Sequence, residues 1–158
     1  MKKQIVKYLR EQISTKLENA KEAYQSGHEH ATEPELVAES KYDTRGVEAG
    51  YLAGAQKKRV EELKQELELL DEMVLDHSTE SVSVGSLVEL RFNDQTRLYF
   101  ISSTSGGSMI EIEGSVVLVV SAFSPIGSEV IGLQEGDTFE LETKSSESER
   151  IYEVGKIV

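Results

Sequence analysis

Four carboxylates lie close together in the chain: Glu33, Glu35, Glu39 and Asp43. Carboxylate oxygens are the hard ligands that Mg²⁺ accepts, and one or two of them leave room for the metal's own waters. Placed beside a metal-bearing centre, such groups can hold a second ion or position an attacking water. Two metals then stabilise both the attacking and the leaving oxygen of a displacement. A structural role is the alternative. Thr32-Glu33-Pro34-Glu35 fits a capping box with proline in the first turn, and Ser40 or Asp43 can cap a following helix. His28 and His30 flank Glu29, but residues two apart point away from each other on a helix, and no third ligand is evident. Lys57-Lys58-Arg59 spreads around much of a helix and reads as a solvated face. Ser103, Ser105 and Ser108 sit in a glycine-rich stretch with no base beside them, so nucleophilic catalysis is not expected. The chain has no cysteine, which excludes disulfides, thiolate chemistry and cysteine zinc sites.

The acids lie between two segments of helical period. Val6, Leu9, Ile13, Leu17, Ala20 and Tyr24 recur at steps of three and four, as do Leu52, Gln56, Val60, Leu63, Leu67, Leu70 and Val74. Each set makes one apolar stripe. Two such stripes in one short chain bury each other as an antiparallel hairpin. The spacing pairs Val6 with Val74, Leu9 with Leu70, Ile13 with Leu67, Leu17 with Leu63, Ala20 with Val60 and Tyr24 with Gln56. This puts the tip near residue 40, among the acids, with Glu39 and Asp43 four apart and Lys41 and Tyr42 between them. Carried further, the register pairs Gly27 with Ala53 and Ala31 with Ala49. Gly46, Gly50 and Gly54 add a small-residue row, so the hairpin is expected to thin toward its tip. At 1.5 Å per residue an arm of about 30 residues reaches roughly 45 Å. The outer positions Glu11, Lys16, Glu18, Lys21, Glu61, Glu62, Lys64 and Glu66 are charged, which argues against a dimerisation or adaptor arm.

The composition changes near Asp76-His77-Ser78-Thr79, dividing residues 1–77 from residues 78–158. The second part alternates with period two. Val82, Val84, Leu87, Val88 and Leu90 suggest a first strand, Leu98-Tyr99-Phe100-Ile101 a second and Met109-Ile110-Glu111-Ile112 a short third. The apolar run 116–120 is a candidate central strand. Thr138-Phe139-Glu140-Leu141 and Ile151-Tyr152-Glu153-Val154 read as a closing pair, and residues 128–133 as a helical turn. The expected class is α+β: an antiparallel coiled-coil hairpin, then a small antiparallel sheet with one short helix.

The 158 residues carry a net charge of −12. A nucleic-acid binder needs a basic face to neutralise phosphates, so direct specific DNA binding is not expected, whereas a basic partner is. No stretch approaches the roughly 20 apolar residues of a membrane span, and the start of the chain has no secretory pattern. A cytoplasmic monomer is the expectation, with no permanently bound cofactor and no metal of its own.

One segment is more specific: Ser124-Pro125-Ile126-Gly127-Ser128-Glu129-Val130-Ile131-Gly132-Leu133-Gln134-Glu135-Gly136-Asp137. Pro125 fixes a turn, Gly127 and Gly132 bracket a turn of helix, Val130 and Ile131 are expected to plug the sheet, and Gly136-Asp137 turns into the next strand. The string, following a helical hairpin, resembles the S-P-x-G-x-x-L-x-G-x-x-x-G-D pattern of the Gre-type (GreA/GreB-like) bacterial transcription elongation factors. The resemblance covers nearly the whole chain. It implies an FKBP-like second domain and RNA polymerase as partner. It further implies that the coiled coil enters the polymerase secondary channel and that Ser124, Pro125, Gly127, Gly132, Gly136 and Asp137 belong to the anchoring segment. Tip acids of the family help the polymerase Mg²⁺ hydrolyse backtracked RNA. On this chain that role falls to Asp43 and Glu39, with Glu33, Glu35, Lys41 and Tyr42 at the tip or on its approach.

The chain departs from the family at this point. Its tip reads Ala38-Glu39-Ser40-Lys41-Tyr42-Asp43-Thr44-Arg45, not the Asp-x-x-Glu-Asn type of cleavage-competent members. Polymerase binding therefore carries over more safely than cleavage, and a channel-binding regulator without cleavage stays open. The protein is not expected to be an enzyme itself; at most it stimulates the polymerase's intrinsic RNA cleavage. The fold also suggests a prolyl isomerase, which needs a cluster of pocket aromatics. Phe92, Tyr99, Phe100, Phe123, Phe139 and Tyr152 fall mostly at positions expected to be core, so that activity is not expected.

Overall fold

The computed structural model describes residues 1–32, 45–76, 78–104, 106–141 and 150–158. Glu33, Glu35, Glu39, Lys41, Tyr42 and Asp43 lie outside the described residues, and so do the side chains of His28 and His30. The chain divides into two compact units, Leu9–Glu68 and the combination of Met1–Tyr8 with Leu69–Val158. Two long helices, α1 (Lys2–Thr32) and α2 (Arg45–Asp71), run through both.

Within Leu9–Glu68 the buried side chains are Leu9, Ile13, Leu17 and Ala20 on α1 and Ala53 and Leu63 on α2. Val60, Leu67 and Gln56 are half-buried. Steps of three and four place each set on one face, and burial of two such rows in one compact unit is what a helical hairpin requires. The charged outer positions form short-range pairs, Lys21 Nζ with Glu18 Oε1 at 2.7 Å and Arg59 Nη1 with Glu62 Oε2 at 3.3 Å. Exposed helix pairs of this kind contribute only about 0.3–0.5 kcal/mol each.

Several details of the stripes differ from the reading by period. Ile5 is fully buried and Val6 only half-buried, because Ile5 continues the four-residue step through Leu9, Ile13 and Leu17. Leu52 is exposed and Ala53 takes the inward place, since both are compatible with the step to Gln56. Val74 is exposed, because α2 ends at Asp71 and helical period no longer applies beyond it. Glu62 and Glu66, read as outer, are half-buried. A Cβ built on Gly27, Gly50 or Gly54 meets nothing among the described residues within 4 Å. At these three glycines no described neighbour stands where a side chain would go.

The other unit is built on a six-stranded sheet of order β3-β4-β2-β1-β6-β5. Its strands are β1 (Leu87–Phe92), β2 (Gln95–Ser102), β3 (Met109–Ile112), β4 (Ser115–Ser121), β5 (Thr138–Leu141) and β6 (Arg150–Ile157); a short helix, α3 (Pro125–Val130), follows β4. All neighbours are antiparallel except β2 and β4, which run parallel with Leu98 opposite Val117. The apolar run in β4 is second from the edge, not central; β2 and β1 occupy the middle. Asn93 and Asp94, both at positive φ, turn β1 into β2, a geometry that short polar side chains tolerate. Val82 is buried ahead of β1 and not in it.

Alternation gives the sheet two apolar faces. On one, Val88, Leu90, Tyr99, Ile101, Phe139, Tyr152 and Val154 pack with Val130 of α3. Phe92, Tyr152 and Phe139 form a stack with centroid separations of 5.0 and 5.3 Å. Phe100, Val117 and Val119, of opposite parity, are also almost fully buried. In the same unit Ser103 Oγ donates to Leu69 O, in the last turns of α2, at 3.0 Å, and Lys2 Nζ donates to Leu75 O, just past its end, at 2.5 Å.

Candidate functional site

Residues 121–137 fold by local hydrogen bonding that their types dictate. Ser124 is the N-cap of α3: its hydroxyl accepts from Gly127 N at 3.1 Å and donates to Ser121 O at 2.7 Å. Pro125 occupies the first helical position, where its fixed φ fits and its missing N–H costs nothing. The Ser128 hydroxyl turns back to Ser124 O at 3.0 Å. The helix thus starts at Pro125, three residues before the expected 128–133, because a proline reads as a breaker unless its place at N1 is recognised.

Gly127 lies inside α3, buried, and does not bracket it. Its Cα passes so close to the β4 end that an added Cβ would lie 2.1 Å from Ser121 O. Gly132 does end the turn, at φ +90°, and its N–H donates to Val82 O at 2.8 Å. Val130 plugs the core as expected, whereas Ile131 is 38% exposed. Gly136, at φ +93°, donates to Val154 O, and Asp137 Oδ2 accepts from Gln134 N at 2.8 Å. Asp137 thus closes the turn that leads into β5.

This frame fixes an open, largely apolar groove of about 550 Å³ lined by Gly106, Gly107, Val120, Ser124, Pro125 and Ile126. Next to Ser124 stands Phe123, 88% exposed, two residues past the end of β4, where an aromatic reads as core. It is the residue that sequence reasoning missed. Its signal was the serine-proline pair behind it, which turns the chain before the ring can reach the sheet.

No family profile matches the chain, and none of the curated proteins matches it. Solved structures do. A structure of the transcription factor Gfh1 is 21% identical, covering 94% of this chain and 92% of its own, with a TM-score of 0.40. GreA factor homolog 1 (Gfh1) of Thermus thermophilus is 22% identical over 94% of both chains, with a TM-score of 0.37. A prokaryotic transcription elongation factor GreA/GreB from Nitrosomonas europaea is 15% identical over 74% of this chain and 94% of its own, with a TM-score of 0.38. The chain is similar to Gre-type structures over most of its length.

The structure brings Ser124, Pro125, Gly127, Gly132, Gly136 and Asp137 into one continuous hydrogen-bonded segment of the sheet unit. Phe92, Tyr99, Phe139 and Tyr152 share one core face, while Phe100 is on the other and Phe123 is at the surface. Among the described residues no cluster of three or more histidine, aspartate or glutamate side chains is arranged to hold a metal. No helix among them is long and apolar enough to cross a membrane.

Proposed function

We propose that the chain is a Gre-like factor that binds RNA polymerase, grips it through the Phe123–Ser124–Pro125 surface and inserts the acidic segment 33–43 into the secondary channel to modulate elongation. One observation carries this reading. The segment that resembles the Gre pattern is the one whose hydrogen bonds fix an exposed aromatic beside an apolar groove. A largely exposed phenylalanine on a hydrogen-bonded turn suits an anchor for a protein partner, because it buries a large area when covered. The acidity of the chain supports a protein partner over nucleic acid.

In the channel, Glu39 and Asp43 would supply carboxylate oxygens to the polymerase's Mg²⁺, assisting hydrolysis of backtracked RNA. Because the tip departs from the Asp-x-x-Glu-Asn type, a second outcome is occupancy of the channel without cleavage. The adaptor reading gains one observation: Val47, Tyr51 and Leu52 on α2 are 59, 78 and 58% exposed, so the arm has apolar contact surface besides its charged face.

The test uses bacterial polymerase core and stalled, backtracked elongation complexes. The expected results are binding to core without binding to free DNA or RNA, loss of that binding by roughly tenfold or more in Phe123→Ala, and stimulated cleavage that Asp43→Asn abolishes while binding persists. Binding without stimulation by the parent chain leaves a channel regulator. No recovery of polymerase at low salt removes the Gre-like reading.

A further inference from the structure

At the β1–β2 turn end of the sheet is a second recess, distinct from the Ser124 groove. It has a volume of about 270 Å³, a floor of Leu90 and Phe92, and a polar lining of Asn93, Gln95, Arg97, Tyr99, Arg150 and Tyr152. Every one of those six side chains carries an N–H or O–H donor, and among the described residues no carboxylate lines the recess. That is unexpected from composition. Residues 79–158 hold 13 acids against five bases, namely Arg91, Arg97, Lys144, Arg150 and Lys156. Two of the five converge here.

The aromatic faces are already used. Phe92 stacks on Tyr152 on one side and carries the Arg150 guanidinium 5.7 Å from its centroid; Tyr152 has Phe139 on its other face. What the recess offers a ligand is therefore hydrogen-bond donors and positive charge, not ring stacking. Arg91, in the same sheet, has a carboxylate partner in Glu153 at 2.8 Å. The described partner of Arg97 is the Gln95 amide oxygen at 3.1 Å. That contact braces one arm of the fork and leaves its other N–H groups for a ligand. Burial raises the Tyr99 phenol above its ordinary value; Tyr152 adds to the rise and Arg97 opposes it. The three groups thus share one electrostatic neighbourhood, and the Tyr99 hydroxyl keeps its proton at neutral pH. Two guanidinium groups around one recess repel each other, and an oxyanion between them turns that repulsion into two charge-assisted contacts.

We propose that this recess is a binding site for an oxyanion, the phosphate or carboxylate group of a small ligand, gripped by Arg97 and Arg150 and oriented by the Tyr99 and Tyr152 hydroxyls and the Asn93 and Gln95 amides. Its volume lies below the roughly 300–1,000 Å³ of pockets for drug-sized molecules, which suits an anionic group with a few attached atoms. The site does not depend on the Ser124 groove or on any polymerase contact.

The test is calorimetric titration of the full chain with inorganic phosphate, acetate and citrate at constant ionic strength, with chloride as the reference. Saturable one-site binding of phosphate alone assigns the site to phosphate esters. Binding of the carboxylates alone assigns it to carboxylates. Either supports the proposal if Arg97→Gln and Arg150→Gln each weaken binding by about tenfold while Arg91→Gln leaves it unchanged. The substituted arginines are all exposed, so melting temperatures without anion should stay close to the parent's and verify the fold. Absence of saturable binding by all three anions, or binding that both pocket variants retain, overturns it.

Discussion

At Ser124 the chain is fastened at nearly every step: the hydroxyl bridges Ser121 and Gly127, Gly132 and Leu133 clasp Val82, and Asp137 ties itself to Gln134. In the Leu9–Glu68 unit shape comes from narrow rows of buried apolar side chains with exposed ion pairs around them. The first region sets atoms in fixed places and can present Phe123 and Pro125 to a partner with little ordering cost. The second sets length and direction but few exact positions. A contact surface belongs on the first kind of structure, and reach belongs on the second.

The contrast can be broken most strongly through the cores. Phe100→Ala in the sheet unit should cost about 3–5 kcal/mol, and Leu63→Ala in the helical unit about 2–5 kcal/mol. If the units differ as argued, Phe100→Ala lowers the melting of β signal, and Leu63→Ala lowers helical signal first; circular dichroism at two wavelengths separates them. One shared transition in both variants would show that the units do not melt independently. A smaller cut sharpens the argument at the turn. Gly127→Ala places a methyl group against Ser121 O, and overpacking of this kind costs roughly 1–3 kcal/mol. Its denaturant midpoint should fall well below that of Gly50→Ala, where the surroundings are open and alanine favours helix by about 1 kcal/mol. Smallest is the pair Ser124→Ala and Glu62→Gln. Loss of the N-cap should cost about 1 kcal/mol, and loss of the exposed pairs of Glu62 no more than about 0.5 kcal/mol. Equal losses would remove the distinction between a fastened turn and a loosely held arm.

How much could be read in the amino-acid sequence follows from the range of the interactions. The two helices, the strands at Met109–Ile112 and Thr138–Leu141 and the α+β class were legible, because period and turn residues are local. The β4 position was not. Its apolar run says that it is buried, but sheet order is decided by pairings that sequence period does not report, and β4 pairs in parallel with β2 across a crossover that contains β3. Ile131 and Phe123 were misread for one reason: an apolar residue beside a turn is assigned to the core unless the direction of the turn is known. The oxyanion recess was invisible, since Arg97 and Arg150 lie on strands that meet only through β1. The tip acids were picked out from charge, helical register and the family resemblance, and they lie outside the described residues.

The pairing of β1 with the last strand, β6, with Val88 opposite Ile157, has a consequence for the newly made chain. As residues emerge in order, β1 can pair with β2 early, but its other edge stays open until the last strand is available. The long helices, whose contacts within Leu9–Glu68 need nothing from the sheet, can form meanwhile. During synthesis the helical unit can therefore form before the sheet is complete, and an interrupted chain would carry it with an unfinished, apolar and aggregation-prone sheet.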